Sequence, residues 1–170
     1  MRIQETPSKA LTGHTGPIQQ TVFLSNNRLV SCSDDEAINV WETVNGKELL
    51  SLKAHTGVVY ALEILPNGWL ASGSSDKTIK VWNLQDKREV RELRGHKDEV
   101  IWLKALKNGN LVSYSTDDTI KIWNPYLAEN NLLMTISGHG NAIWIISLGV
   151  LSNDFLATCS RDSENRESIL

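Results

Sequence analysis

Four histidines, His14, His55, His96 and His139, are the only ones in a chain of 170 residues, and they are spaced by 41, 41 and 43. An aspartate follows each of the first three after 21 residues (Asp35, Asp76, Asp117), and a serine after 17 (Ser31, Ser72, Ser113). A second serine lies one pleat further on, at Ser33, Ser74 and Ser115, and would share the same strand face. Ser, His and Asp are the residue types of nucleophilic acyl transfer, in which a hydroxyl attacks, an imidazole takes its proton and a carboxylate orients the imidazole. A catalytic set is needed once, whereas this one recurs three times at a fixed interval, so repetition argues for structure and against a hydrolase. Zinc binding fares no better, because the histidines stand one per interval with no CxxC or HxxxH spacing.

The elements that must position these residues repeat with them. Trp41, Trp82 and Trp123 are also 41 apart, each 27 residues after a histidine. After His14 come "PIQQTVFL", "NNRLVSCS", "AINVWE" and "KELLSLK", and the next two intervals read the same way. These segments are rich in β-branched and large apolar residues, alternate in "TIKVW", and are bounded by turn residues such as Asn45-Gly46, Pro66-Asn67-Gly68 and Asn108-Gly109. No window keeps a helical period, so the chain is expected to be all-β and antiparallel, in repeats of about 12–52, 53–93, 94–136 and 137–170. Residues 1–11 leave room for one further outer strand.

Composition narrows the function classes. Net charge is −3, from 17 basic and 20 acidic residues with no like-charge run, which gives no sign of nucleic-acid binding. The longest apolar run, Ala142 to Leu151, is shorter than the roughly 20 residues that span a bilayer, and the first residues lack an apolar signal segment. Cys32 and Cys159 occupy equivalent positions three residues before a turn aspartate and read as small core residues, not a disulfide framework. A soluble protein of the cytoplasm, or of the nucleus, is expected, with no cofactor and no metal.

The Gly-His or Ala-His pair, the Ser-x-Ser-x-Asp turn and the closing Ile-x-Val-Trp or Ile-x-Ile-Trp resemble the WD40-repeat family of β-propellers, over nearly the whole chain. The resemblance implies blades of four antiparallel strands, about three and a half of them here, where closed propellers have typically 4–8 and this family most often seven. It implies that His14, Ser31, Asp35 and Trp41, and the matching sets His55, Ser72, Asp76, Trp82 and His96, Ser113, Asp117, Trp123, form a hydrogen-bonded network in each blade. It also implies contact positions three and five residues after each histidine and one before each turn aspartate. Those are Pro17, Gln19 and Asp34; Val58, Tyr60 and Ser75; Glu99, Ile101 and Thr116; Ala142, Trp144 and Arg161. Trp69 and Trp102 fall off this pattern and read as packing or bottom-face residues.

The fourth repeat departs from the pattern. Asp162 lies 23 residues after His139, which predicts a longer hairpin near Val150–Asn153. Beyond Asp162 the chain reads "SENRESIL", with Ser168 where Trp is due, so the third strand is expected to be missing or poor and the fourth absent. An incomplete ring would expose apolar flanks. A fragment of a longer propeller is the favoured explanation, because the pattern stops abruptly; a ring completed by self-association of two chains and an open arc held against a partner are the others. The function expected is a non-catalytic scaffold that binds protein or peptide partners on the propeller face. A substrate-recognition subunit of a ubiquitin ligase is the alternative within that class. A fragment without independent activity, or a propeller enzyme, is the alternative outside it.

Overall fold

The computed structural model describes residues 10–137, 142–150, 156–162 and 167–169, with side chains over 10–137. The first sheet comprises β1 (Ile18–Leu24), β2 (Arg28–Ser33), β3 (Ile38–Glu42) and β4 (Lys47–Leu52). The second comprises β5 (Val59–Ile64), β6 (Leu70–Ser74), β7 (Thr78–Asn83) and β8 (Arg88–Arg94). The third comprises β9 (Val100–Ala105), β10 (Leu111–Ser115), β11 (Thr119–Trp123) and β12 (Leu132–Ser137). Each is an antiparallel meander in which strands pair in sequence order. The fourth sheet contains β13 (Ala142–Val150), β14 (Leu156–Asp162) and β15 (Glu167–Ile169).

Local chemistry fixes the turns. Asn26 and Asn27 both take positive φ, 64° and 56°, between β1 and β2, a conformation that asparagine tolerates better than most residues. Each turn aspartate accepts the N–H two residues on, Ala37 at 3.1 Å, Thr78 at 3.0 Å and Thr119 at 3.0 Å. The residue between, Glu36, Lys77 or Asp118, is left-handed, at φ 66°, 72° and 60°.

The sheets pack face to face through their first strands. Val30, Ile38, Val40, Val59, Leu62 and Trp82 are buried between the first and second sheets. Ala61, Leu65, Ile79, Val81, Val100 and Trp123 are buried between the second and third. Gln20 Oε1 accepts the N–H of Leu62 at 2.7 Å, and Glu63 Oε1 that of Ala105 at 3.0 Å, tying first strand to first strand. The opposite face of β1 is bare among the described residues. Ile18 is 54% exposed and Phe23 78%, whereas Val59 and Val100, the counterparts of Ile18, are at 0%. Trp69 packs on the second core and against Tyr126, with centroids 5.9 Å apart, and Trp102 packs on the cluster of Leu106, Val112, Tyr114 and Ile120.

The fourth sheet corrects one expectation. Residues 167–169 form the third strand expected to be missing or poor, and it is three residues long. Its register is shifted: Ser168 pairs with Ser160, where the first sheet pairs Trp41 with Leu29. The extra two residues of this repeat are not in the Val150–Asn153 hairpin. Five residues separate Val150 from its partner Leu156, and five separate Phe23 from Leu29. In the first three sheets the residue two before the turn aspartate pairs with the residue four after the histidine (Ser33 with Ile18, Ser74 with Val59, Ser115 with Val100). Ser160 instead pairs with Ile145, six after His139, so the insertion precedes Ile145. A strand can absorb extra residues at its bulged start without disturbing the hairpin that closes it.

Candidate functional site

The network residues come together in each of the first three sheets. His14 Nδ1 lies 2.9 Å from Asp35 Oδ2 and its Nε2 2.7 Å from Ser31 Oγ, which also accepts the Trp41 indole N–H at 2.7 Å. His55 stands 2.7 Å from Asp76 and 2.8 Å from Ser72, and Trp82 donates to Ser72 at 2.8 Å. His96 stands 3.1 Å from Asp117 and 2.7 Å from Ser113, and Trp123 donates to Ser113 at 2.8 Å. Of each serine pair the earlier joins the imidazole. The later, Ser33, Ser74 or Ser115, donates to the carbonyl of Gly16, Gly57 or Asp98 and accepts the N–H of the turn aspartate.

Proton placement follows from the electrostatics. Burial pushes the Asp76 carboxyl up, but hydrogen bonds from His55, Thr78 and Thr56 outweigh it and hold the group well below the usual carboxylate range. Asp35 and Asp117 are lowered by the same balance. Burial lowers the His96 pKa against the pull of Asp117, with Lys121 adding to the decrease. In the third blade a neutral His96 imidazole therefore donates Nδ1–H to the ionised Asp117 and accepts the Ser113 proton at Nε2. That is the proton arrangement of a hydrolytic triad, but Ser31, Ser72 and Ser113 are at most 2% exposed and each holds an indole N–H on its other lone pair. No substrate carbonyl can reach them, and the set closes a sheet instead. Cys32 is fully buried, and burial pushes its thiol up to about 12. Among the described residues no group of His, Cys, Asp and Glu is arranged to hold a metal.

The expected contact positions share one structural device. Gln19, Tyr60 and Ile101 are each the unpaired bulge residue of a first strand, where the register slips between Ile18 and Gln20, Val59 and Ala61, and Val100 and Trp102. A bulge turns a side chain out of the alternation of its strand. Beside each bulge the residue before the turn aspartate is anchored: Asp34, Ser75 and Thr116 donate their N–H to the carbonyls of Pro17, Val58 and Glu99. Gln19 Nε2 donates to Asp34 Oδ1 at 2.5 Å. Burial raises the Tyr60 hydroxyl pKa, and the charge and hydrogen bond of Glu99, together with the charge of Asp34, raise it further. Gln19, Asp34, Tyr60 and Glu99 thus converge from three sheets. Ile101 is different: it is half-buried against the Leu106 and Tyr114 cluster. In the fourth sheet Trp144 pairs with Arg161, and the register counterpart of Tyr60 is Ile146; the side chains of Ala142, Trp144 and Arg161 lie outside the described residues.

Sequence reasoning passed over Lys80, although it is 6% exposed and donates to Glu92 and Glu89. The available signal was its spacing of 41 from Asn39 and Lys121 on the third strands.

Repeated four-stranded meanders packed face to face through their first strands, each closed by a buried His-Asp-Ser-Trp network, define a protein of β-propeller blades. The family model "WD domain, G-beta repeat" matches residues 5–42, 46–83 and 87–124, and the chain belongs to the WD40 family. The ribosome biogenesis protein YTM1 of Saccharomyces cerevisiae is 43% identical over 37 residues, which is 22% of this chain and 8% of that protein. The WD40 β-propeller domain of Doa1 is 28% identical over 94% of this chain and 52% of that chain, with a TM-score of 0.79. The WD40 repeats of RRP9 are 27% identical over 95% of this chain and 53% of that chain, with a TM-score of 0.80. The chain spans about half the length of these solved relatives and a small part of the curated one.

Proposed function

We propose that the chain is a non-catalytic interaction platform that binds a basic segment of a partner protein across the face formed by Gln19, Asp34, Tyr60, Glu99 and Thr116. The observation that carries this reading is the Tyr60 hydroxyl, held by Glu99 and lying in the field of Asp34 where three blades meet. An aromatic ring flanked by two carboxylates suits a lysine or arginine side chain, which can stack on the ring and pair with the acids. Thr116 Oγ1 adds a buried hydroxyl oxygen without a partner among the described residues. WD40 relatives include a ribosome biogenesis protein, and an intracellular setting, nuclear or cytoplasmic, belongs to the same reading.

The test is selection of random peptides displayed on phage against the immobilised chain, and then against its Glu99→Lys variant. Lysine- and arginine-rich sequences should be enriched by the wild type, and their affinity should fall about tenfold in the variant, as for a lost charge pair. Enrichment of acidic or apolar sequences, or equal binding by both proteins, would overturn the proposal.

A further inference from the structure

Asn39 in β3, Lys80 in β7 and Lys121 in β11 occupy one repeated position, 41 residues apart, and are 2%, 6% and 7% exposed. In the second blade Lys80 reaches toward β8, where its Nζ donates to Glu92 at 2.7 Å and to Glu89 at 3.0 Å. In the third blade Lys121 Nζ donates to Thr135 Oγ1 at 2.9 Å. The first blade keeps the acceptors but not the lysine. Glu48 stands opposite Trp41 as Glu89 stands opposite Trp82, and Ser51 stands opposite Asn39 as Glu92 stands opposite Lys80.

The asparagine side chain is too short to fill the place of a lysine. A cavity of about 480 Å³ opens there, lined by Gly13, Asp35, Asn39, Glu48, Ser51 and Lys53 among others. Its counterpart beside Lys80 is about 160 Å³. Among the described residues Asn39 Oδ1 is buried without a hydrogen-bond partner, an expensive state for an amide oxygen. Gly13 forms part of the wall, where a Cβ would come within 2.7 Å of Glu48 Oε2 and 2.8 Å of the Trp41 ring. Lys53 does not forbid a second cation, because its counterpart Arg94 pairs with Glu92 in the blade where Lys80 is also seated.

We propose that this slot in the first blade receives a lysine side chain of a partner protein, seated as Lys80 is seated in the second blade. Its ammonium donates to the Glu48 carboxylate, Asn39 Oδ1 and Ser51 Oγ, three acceptors for three N–H donors. A compact ammonium on a flexible stem, the group that Lys80 presents at the same position of the second blade, suits the slot better than the planar guanidinium of arginine. The slot and the Tyr60 face are separate, and neither proposal depends on the other.

The experiment is titration of the isotopically labelled chain with Nα-acetyl-lysine methylamide, read by amide NMR. The Asn39 side-chain amide and the backbone signals of Gly13 and Ser51 should shift saturably. The norleucine counterpart, which has the stem but no charge, should bind about tenfold more weakly or not at all. Asn39→Lys fills the slot from within and should abolish the shifts. Glu48→Gln, an exposed substitution that leaves the fold intact, should weaken them about tenfold and decides the matter alone if Asn39→Lys does not fold. Glu99→Lys should leave them unchanged. Equal shifts with norleucine, equal shifts with ammonium chloride at the same concentration, or shifts that persist in both slot variants would each overturn the proposal.

Discussion

Replacing Asp76 by alanine should cost about 3–5 kcal/mol of stability, summed over the donors it leaves behind. The carboxylate accepts His55 Nδ1–H at 2.7 Å, the Thr56 N–H at 3.1 Å, the Thr78 N–H at 3.0 Å and the Thr78 hydroxyl at 2.7 Å. His55 and Thr78 are each 5% exposed, so water does not replace the lost acceptor, and a stranded buried donor costs about 1–3 kcal/mol. Thr56 is exposed and recovers a water, for a loss of a few tenths to about 1 kcal/mol. Small domains have about 5–15 kcal/mol in total, so the variant should unfold at markedly lower urea concentration. Tryptophan fluorescence is the natural readout, because Trp82 shares Ser72 with His55. Asp34→Ala is the control: a neighbouring acid of the same kind of turn, bonded through its side chain to Gln19 alone, should change stability by less than about 0.5 kcal/mol. If Asp76→Ala fell within the same margin as the control, the structural reading of the repeated Ser, His and Asp would fail.

Stability should fall with acid in two stages. His96 has a depressed pKa, so the unfolded chain takes up a proton more readily below about pH 6.5 and stability declines from there; His96→Gln should remove that limb in urea titrations. Asp35, Asp76 and Asp117 are also depressed, and the stability they contribute, complete above about pH 4, should be lost as pH falls further. In a Cys159→Ser background, Cys32 should resist a thiol-specific reagent at pH 8 while folded and react fully once denatured, since its thiol is buried and pushed up to about 12; labelling of the native chain would show that the first blade opens. Gly73→Ala should destabilise by about 1–3 kcal/mol in calorimetry, because the new Cβ would lie 2.8 Å from Val100 Cγ1 and 3.0 Å from its carbonyl across the blade interface.

How much of this was legible depends on whether a residue answers to its own blade or to something beyond it. The network was readable because three copies in register specify the same hydrogen bonds, and the strands were readable because turn residues punctuate them. The choice between Ser31 and Ser33 was not, since both lie on one face and only the depth of the imidazole separates them. The insertion in the fourth repeat was misplaced to the hairpin because spacing gives the number of extra residues and not their site. The short β15 fits the poor third strand expected where the chain loses its alternation and its tryptophan.

The differences between copies carry the information that the shared pattern does not. His, Ser, Asp and Trp are identical in three blades and hold each blade together, so they say nothing about what the protein meets. Gln19, Tyr60 and Ile101 differ at one bulge, and only Tyr60 has acids from two other strands and turns around it. Asn39, Lys80 and Lys121 differ at one buried position: both lysines donate to the fourth strand of their blade, whereas Asn39 Oδ1 has no hydrogen-bond partner among the described residues. Ile18, Val59 and Val100 are equally apolar, yet only Ile18 is uncovered. The second and third copies serve as internal standards for the first: the same backbone, with the slot filled and the flank packed, shows which group each open position of the first blade is shaped to receive.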